Sequence, residues 1–154
     1  MSLLTSAATT NQVLQLDGND SYVELPPDLF NDLEEATVEG WVRWESFRDN
    51  SHFFEFGDDQ HGVVVYNSGT TSDLAVKIRG PQAGDFKASR VQRNQWHHIG
   101  LVASAAGLTL YLDGMPVGAA PFAGRFSSVA GGKVNFLGSS LFSVEPVCSL
   151  GDDT

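Results

Sequence analysis

Cysteine is almost missing from the 154 residues: Cys148 stands alone. That excludes an internal disulfide framework but leaves the compartment open, because a β-sandwich of this size holds together without disulfides. Cations are scarce as well, 9 Lys and Arg against 19 Asp and Glu, for a formal net charge of -10. So acidic a surface repels phosphate backbones and anionic lipid, and neither nucleic acid nor a membrane is expected as partner. No stretch approaches the roughly 18 consecutive apolar residues that a spanning helix needs, so membrane insertion is not expected. The opening MSLLTSAATTNQ lacks a positively charged start and offers only two adjacent leucines, so it does not read as a signal peptide. Helical periodicity is nearly absent too. Only Pro27 to Ala36, with Leu29, Phe30 and Leu33 on one side, promises a helical turn or two.

What is present points to strands. Hydrophobic residues make up 42% of the chain, enough for one domain with a proper core. Short alternating or β-branched runs predict strands at Val13–Leu16, Tyr22–Leu25, Thr37–Glu45, His52–Phe56, Gly62–Tyr66, Leu74–Ile78, Phe86–Ser89, Trp96–Ala103, Thr109–Asp113, Val117–Ala119 and Val134–Leu137. Asp17-Gly18, Asn67-Ser68-Gly69, Ala106-Gly107, Asp113-Gly114 and Gly131-Gly132 mark turns between them. The spacing predicts an all-β jelly-roll sandwich of two antiparallel sheets, and no fixed-period repeat supports a propeller or solenoid. One hairpin is readable residue by residue. His97, Ile99, Leu101 and Ala103 face one way and Trp96, His98, Gly100 and Val102 the other, with Leu108, Leu110 and Leu112 alternating on the partner strand.

Charge is unevenly spread: residues 1–59 hold 13 acidic and 2 basic side chains, and residues 60–154 hold 6 and 7. Lys77, Arg79, Lys87, Arg90 and Arg93 lie within seventeen residues, which reads either as a polar strand face or as a basic strip that meets an anionic ligand or an acidic neighbour.

The order Leu14-Gln15-Leu16-Asp17-Gly18, Tyr22-Val23-Glu24, Ala36-Thr37-Val38-Glu39-Gly40-Trp41-Val42, Trp96-His97-His98-Ile99, Leu108-Thr109-Leu110-Tyr111-Leu112-Asp113-Gly114 resembles the laminin G-like domains of the concanavalin A-like lectin/glucanase superfamily, with pentraxins as relatives. The resemblance covers Val13 to Ser139. It implies core roles for Trp41 and Trp96, and an extracellular or cell-surface setting. It also exposes a departure: after Phe136-Leu137-Gly138-Ser139-Ser140 the family's closing strand is missing. Residues 1–12 are therefore expected to be a tail or expression remnant, 13–140 the jelly-roll domain, and 141–154 an irregular segment. The strand Val13–Leu16 would have an open edge, a template for self-association.

Candidate chemistry is sparse. Asp17 and Asp113 sit where turn chemistry alone explains them, but the resemblance also implies loop sites for Ca²⁺, and Asp58 and Asp59 in the acidic loop Glu55–His61 add hard oxygens. Those four aspartates are the candidate calcium ligands. His97 and His98 are adjacent on a strand and face opposite ways, so they cannot share a metal. No Glu-x-Asp-x-Glu run, no Gly-x-Ser-x-Gly elbow and no Gly-rich phosphate loop occurs, so an enzyme is not expected. The resemblance implies a non-catalytic recognition module for a glycan. Trp44, Tyr66, Asn67, Asp58 and Asp59 are its candidate rim, aromatics to stack and polar groups to orient. The alternative is a protein-interaction or adhesion domain, and a glycoside hydrolase ranks below both.

Overall fold

The computed structural model describes residues 12–18, 21–81 and 84–141, the side chain of Ser89 apart. In chain order the elements are β1 (Val23–Leu25), β2 (Ala36–Val42), β3 (His52–Gly57), β4 (Gly62–Asn67), β5 (Asp73–Arg79), β6 (Gly84–Arg90), β7 (His97–Ser104), β8 (Gly107–Leu112), β9 (Met115–Ala120), α1 (Ser127–Ala130) and β10 (Val134–Leu137). A six-stranded sheet runs β1-β10-β3-β4-β5-β6 and a four-stranded one β2-β7-β8-β9, with every pairing antiparallel. This is the jelly-roll sandwich the strand pattern predicts.

Alternation drives the packing. Phe54, Phe56, Val63, Val65, Leu74, Val76 and Ile78 of the larger sheet meet Val42, Ile99, Leu101, Leu108 and Leu110 of the smaller one in a single core. Phe54 stacks on Phe56 at 4.5 Å, Phe30 tilts onto Phe56 at 4.9 Å, and Phe126 meets Phe30 edge-on at 5.4 Å. The hairpin β7–β8 has the predicted faces and register, with Leu101 opposite Leu110. Asp113 and Gly114 both take positive φ, 51° and 81°, as a two-residue turn of this hand requires.

Three expectations need correction. Val13–Leu16 forms no strand, although Leu16 is buried; the sheet edges are β1, β6, β2 and β9 instead. Pro27 to Ala36 forms no helix but successive turns closed by Leu29 N–H to the Pro26 carbonyl, Asn31 to Asp28 and Leu33 to Phe30, which lower Phe30 into the core. Among the described residues the one helix, α1, is a single turn, too short to show a period. The tryptophans also exchange roles. Ala36, Val38, Gly40 and Val42 take the inward side of β2, so Trp41 points outward at 62% exposure, whereas Trp44, past the strand end, is wholly buried. Trp96 is half-buried under the Arg43 guanidinium, 5.4 Å from its ring. The missing closing strand concerns residues 142–154, with Cys148, which lie outside the described residues.

Candidate functional site

The outer face of the six-stranded sheet carries an unusual polar cluster, and a β-bulge creates it. His52 is opposite Tyr66 while Phe54 is opposite Val65, so Phe53 is an extra residue on β3. Strict alternation would put His52 on the core side with Phe54 and Phe56. The extra residue returns it to the outer side with Glu55, its Nε2 3.7 Å from Oε2. Phe53 itself stays buried.

From that point the register fixes a row across all six strands: Glu24, Phe136, Glu55, Val64, Lys77 and Asp85. Glu55 is only 1% exposed, and both its oxygens are engaged. Arg79 Nη2 donates to Oε1 at 2.6 Å, and the Leu141 N–H donates to Oε2 at 3.2 Å. Arg79 Nε also donates to the Asp58 carbonyl at 2.8 Å. The guanidinium lies over Gly62, where a Cβ would sit 2.7 Å from Nη2. The Tyr66 ring stacks on His52, with centroids 5.5 Å apart and planes 19° apart. Burial holds the His52 pKa down at about 4 against the opposing pull of Glu55, so the imidazole is neutral at pH 7. Burial, then the charge of Asp85, raises the Tyr66 phenol.

These groups wall a recess of about 290 Å³ with Asn50 and Ser140 at its rim. A second, of about 500 Å³, adjoins it over Asp59, Gly80 and Asp85, and the two share Lys77 and Arg79.

Of the residues the sequence nominates, Tyr66 lies in the first recess and Asp59 in the second. Trp44 is excluded as a stacking ring, because its indole is sealed between the sheets. Asn67 is excluded as a direct contact: it is fully buried, and its Nδ2 donates to the Gly69 and Thr71 carbonyls at 2.8 and 2.9 Å. It holds the β4–β5 loop, whose Gly69 N–H donates to Asn50 Oδ1, and so it positions Asn50 at the recess. Asp58 closes its own turn, accepting from the Gln60 and His61 N–H groups at 2.9 and 2.7 Å, and pairs with Lys133 Nζ at 2.5 Å. The Lys133 hydrogen bond brings its pKa down to about 2.

The calcium candidates are not brought together. Asp17 caps Ser21, Asp58 and Asp59 occupy the β3–β4 loop, and Asp113 sits at the β8–β9 turn. Among the described residues no group of three or more His, Cys, Asp or Glu gathers to hold a metal. The donor set does not fit a shared calcium site. Asp113 accepts from His97 Nδ1 at 2.9 Å and from the His98 N–H at 2.8 Å; burial opposes its ionisation, but these bonds outweigh it and lower its pKa. His97 Nε2 accepts from the Gln92 N–H at 3.0 Å, so the ring is a buried structural link, while His98 lies on the other face against Trp41.

Sequence reasoning missed His52; it placed Arg79 in a basic strip with an acidic neighbour as one possible partner and Glu55 in an acidic loop, but did not join the two. The signal available was the doublet Phe53-Phe54, which breaks alternation within an otherwise regular strand.

The family model Laminin_G_3, described as the Concanavalin A-like lectin/glucanases superfamily, matches residues 17–147. The chain belongs to this superfamily. Solved structures agree on the superfamily's fold. The CBM40 module of a Ruminococcus gnavus IT-sialidase, bound to alpha2,6 sialyllactose, superposes with a TM-score of 0.69 at 13% identity, covering 91% of this chain and 87% of that one. Domain 4 of AbnA, a GH43 extracellular arabinanase from Geobacillus stearothermophilus in complex with arabinotriose, gives 0.66 at 16%, covering 92% and 72%. Mouse laminin alpha1 chain domains LG4-5 give 0.62 at 9%, covering 94% of this chain and 44% of that one. At such identities the likeness concerns the fold alone. No curated protein sequence matches the chain. Among the described residues no helix is long and apolar enough to cross a membrane.

Proposed function

We propose that this superfamily member is a non-catalytic, extracellular or cell-surface recognition module that binds an oligosaccharide across the outer face of its six-stranded sheet. The observation that carries the reading is the recess itself, where an aromatic ring, Tyr66, and the polar groups of His52, Lys77 and Arg79 converge from neighbouring strands, with Asn50 joining them from the turn before β3. Its setting is that of a sugar site: a ring face to stack on, surrounded by fixed donors and acceptors. The sialyllactose and arabinotriose complexes of the CBM40 module and of AbnA domain 4 support a glycan as the ligand class.

Binding without catalysis is supported by the surroundings of Glu55. Retaining glycoside hydrolysis needs two carboxyl groups about 5–5.5 Å apart. The residues flanking Glu55 in its row are Phe136 and Val64, and its own oxygens are already engaged.

A glycan array run with calcium and with EDTA tests the reading, using the wild type and Tyr66→Ala. Selective binding that survives EDTA and falls at least tenfold in Tyr66→Ala is expected. A blank array, or binding indifferent to Tyr66, overturns it. A protein partner, including a second copy of the chain, is the second reading. It is favoured by Trp41, exposed on β2 at the edge of the four-stranded sheet, and a blank array would direct attention there.

A further inference from the structure

We infer that the groove selects a carboxylate-bearing sugar, with Lys77 as the residue that reads the charge; this rests on the glycan reading above. The two recesses meet at Lys77 and Arg79 and cross β3 to β6, about three interstrand spacings or roughly 14 Å, so the groove is longer than one sugar ring.

The two cations at that junction are not equivalent. Arg79 is committed to Glu55 and to the Asp58 carbonyl. Lys77 is exposed in the same row, opposite Val64 on one side and Asp85 on the other. Among the described residues its ammonium makes no ion pair within 4.0 Å, Asp85 included, and no side-chain hydrogen bond. With Glu55 cancelled by Arg79 and His52 neutral, the wall of the first recess keeps one positive charge, whereas the second adds the carboxylates of Asp59 and Asp85; the sugar carboxylate therefore belongs in the first recess, on the Tyr66 side of Lys77. An ammonium offers three donors and no acceptor, so its matching partner is an anionic oxygen. A sugar carboxylate laid beside Tyr66 supplies one, while its ring hydroxyls face Asn50 and Ser140.

The carboxylate can come from a uronic acid or from a sialic acid, and the experiment carries both. Affinities for oligouronides, for sialylated oligosaccharides and for the neutral counterpart of each are measured by titration calorimetry with the wild type, Lys77→Gln and Lys87→Gln. Lys87 lies on the neighbouring strand and outside both recesses, so it controls for net charge alone. The expected result is acidic over neutral by about tenfold for at least one pair, a preference lost in Lys77→Gln, kept in Lys87→Gln and reduced by salt. Equal affinity for acidic and neutral sugars overturns charge selection and leaves the glycan site standing. An equal loss in both lysine variants overturns the local role of Lys77. No binding of any sugar by folded protein overturns the glycan reading as well. Binding of polyglutamate with the same Lys77 dependence would replace the sugar by an acidic peptide.

Discussion

At the scale of single residues, the three tryptophans show how little a residue type says without its face. Trp41 and Trp44 lie three positions apart, yet one is 62% exposed and the other fully enclosed. Trp44→Ala is expected to cost about 3–5 kcal/mol, since a large ring leaves a cavity between two sheets that cannot close over it. Trp41→Ala is expected to change stability by no more than about 0.5 kcal/mol. Urea unfolding measures both. Fluorescence separates them further: removing Trp41 should delete the most quenchable emission component, leaving the half-buried Trp96, and a quenched Trp44 would contradict the burial assigned to it. Burial removes Trp44 as a stacking ring, and the proposed site relies instead on Tyr66, whose ring is held flat against His52.

Among elements, the Glu55–Arg79 pair ties β3 to β5 across the intervening β4, and it does so because Gly62 leaves room for the guanidinium. Buried pairs of this sort add little over a hydrophobic replacement, but losing one member strands the other. Arg79→Met should therefore destabilise by about 3–5 kcal/mol, and Glu55→Gln added to it should recover most of that loss. A cycle in which the two changes simply add would show the pair to be uncoupled. This part of the molecule was also the least legible in advance. Ten of the eleven strands expected from alternation exist, because a period of two is a local property. Val13–Leu16 fails because a strand needs a partner as well as a pattern, and Leu16 is buried without one. The site depends on register between distant segments and on one extra residue in β3. Neither Glu55 nor Arg79 announces its partner, 24 positions away. Turn chemistry was legible, so Asp17, Asp58 and Asp113 lie where expected, each accepting backbone N–H bonds in its own turn.

For the whole molecule, acidity and burial set a pH limit. His52 has an ordinary pKa of 6.5 when unfolded and about 4 when folded. Between those values the unfolded chain binds the extra proton, so stability is complete above pH 6.5 and is lost as pH falls towards 4. The loss amounts to about 3 kcal/mol. Denaturant midpoints measured across that window should decline, and His52→Gln should flatten the decline; an unchanged slope would remove His52 as its source. Asp58, lowered to about 2, stabilises the fold fully above its ordinary value of 3.8 and loses that contribution as pH falls from there towards 2, so the two losses occupy separate windows.

The position of β10 governs the order of assembly. It is the last strand among the described residues but the second in its sheet, inserted between β1 and β3 with Leu137 facing Val23 on one side and Phe54 on the other. During synthesis β1 must wait for nearly the whole domain before its neighbour emerges, so pairings available early, such as β3–β4–β5 and β7–β8, form around a gap. Contacts between such distant segments make folding slow. In a nascent chain that ends before Val134, β1 lacks its partner β10 and the flank of β3 stays uncovered, so the vulnerable interval for aggregation or proteolysis closes only when β10 arrives.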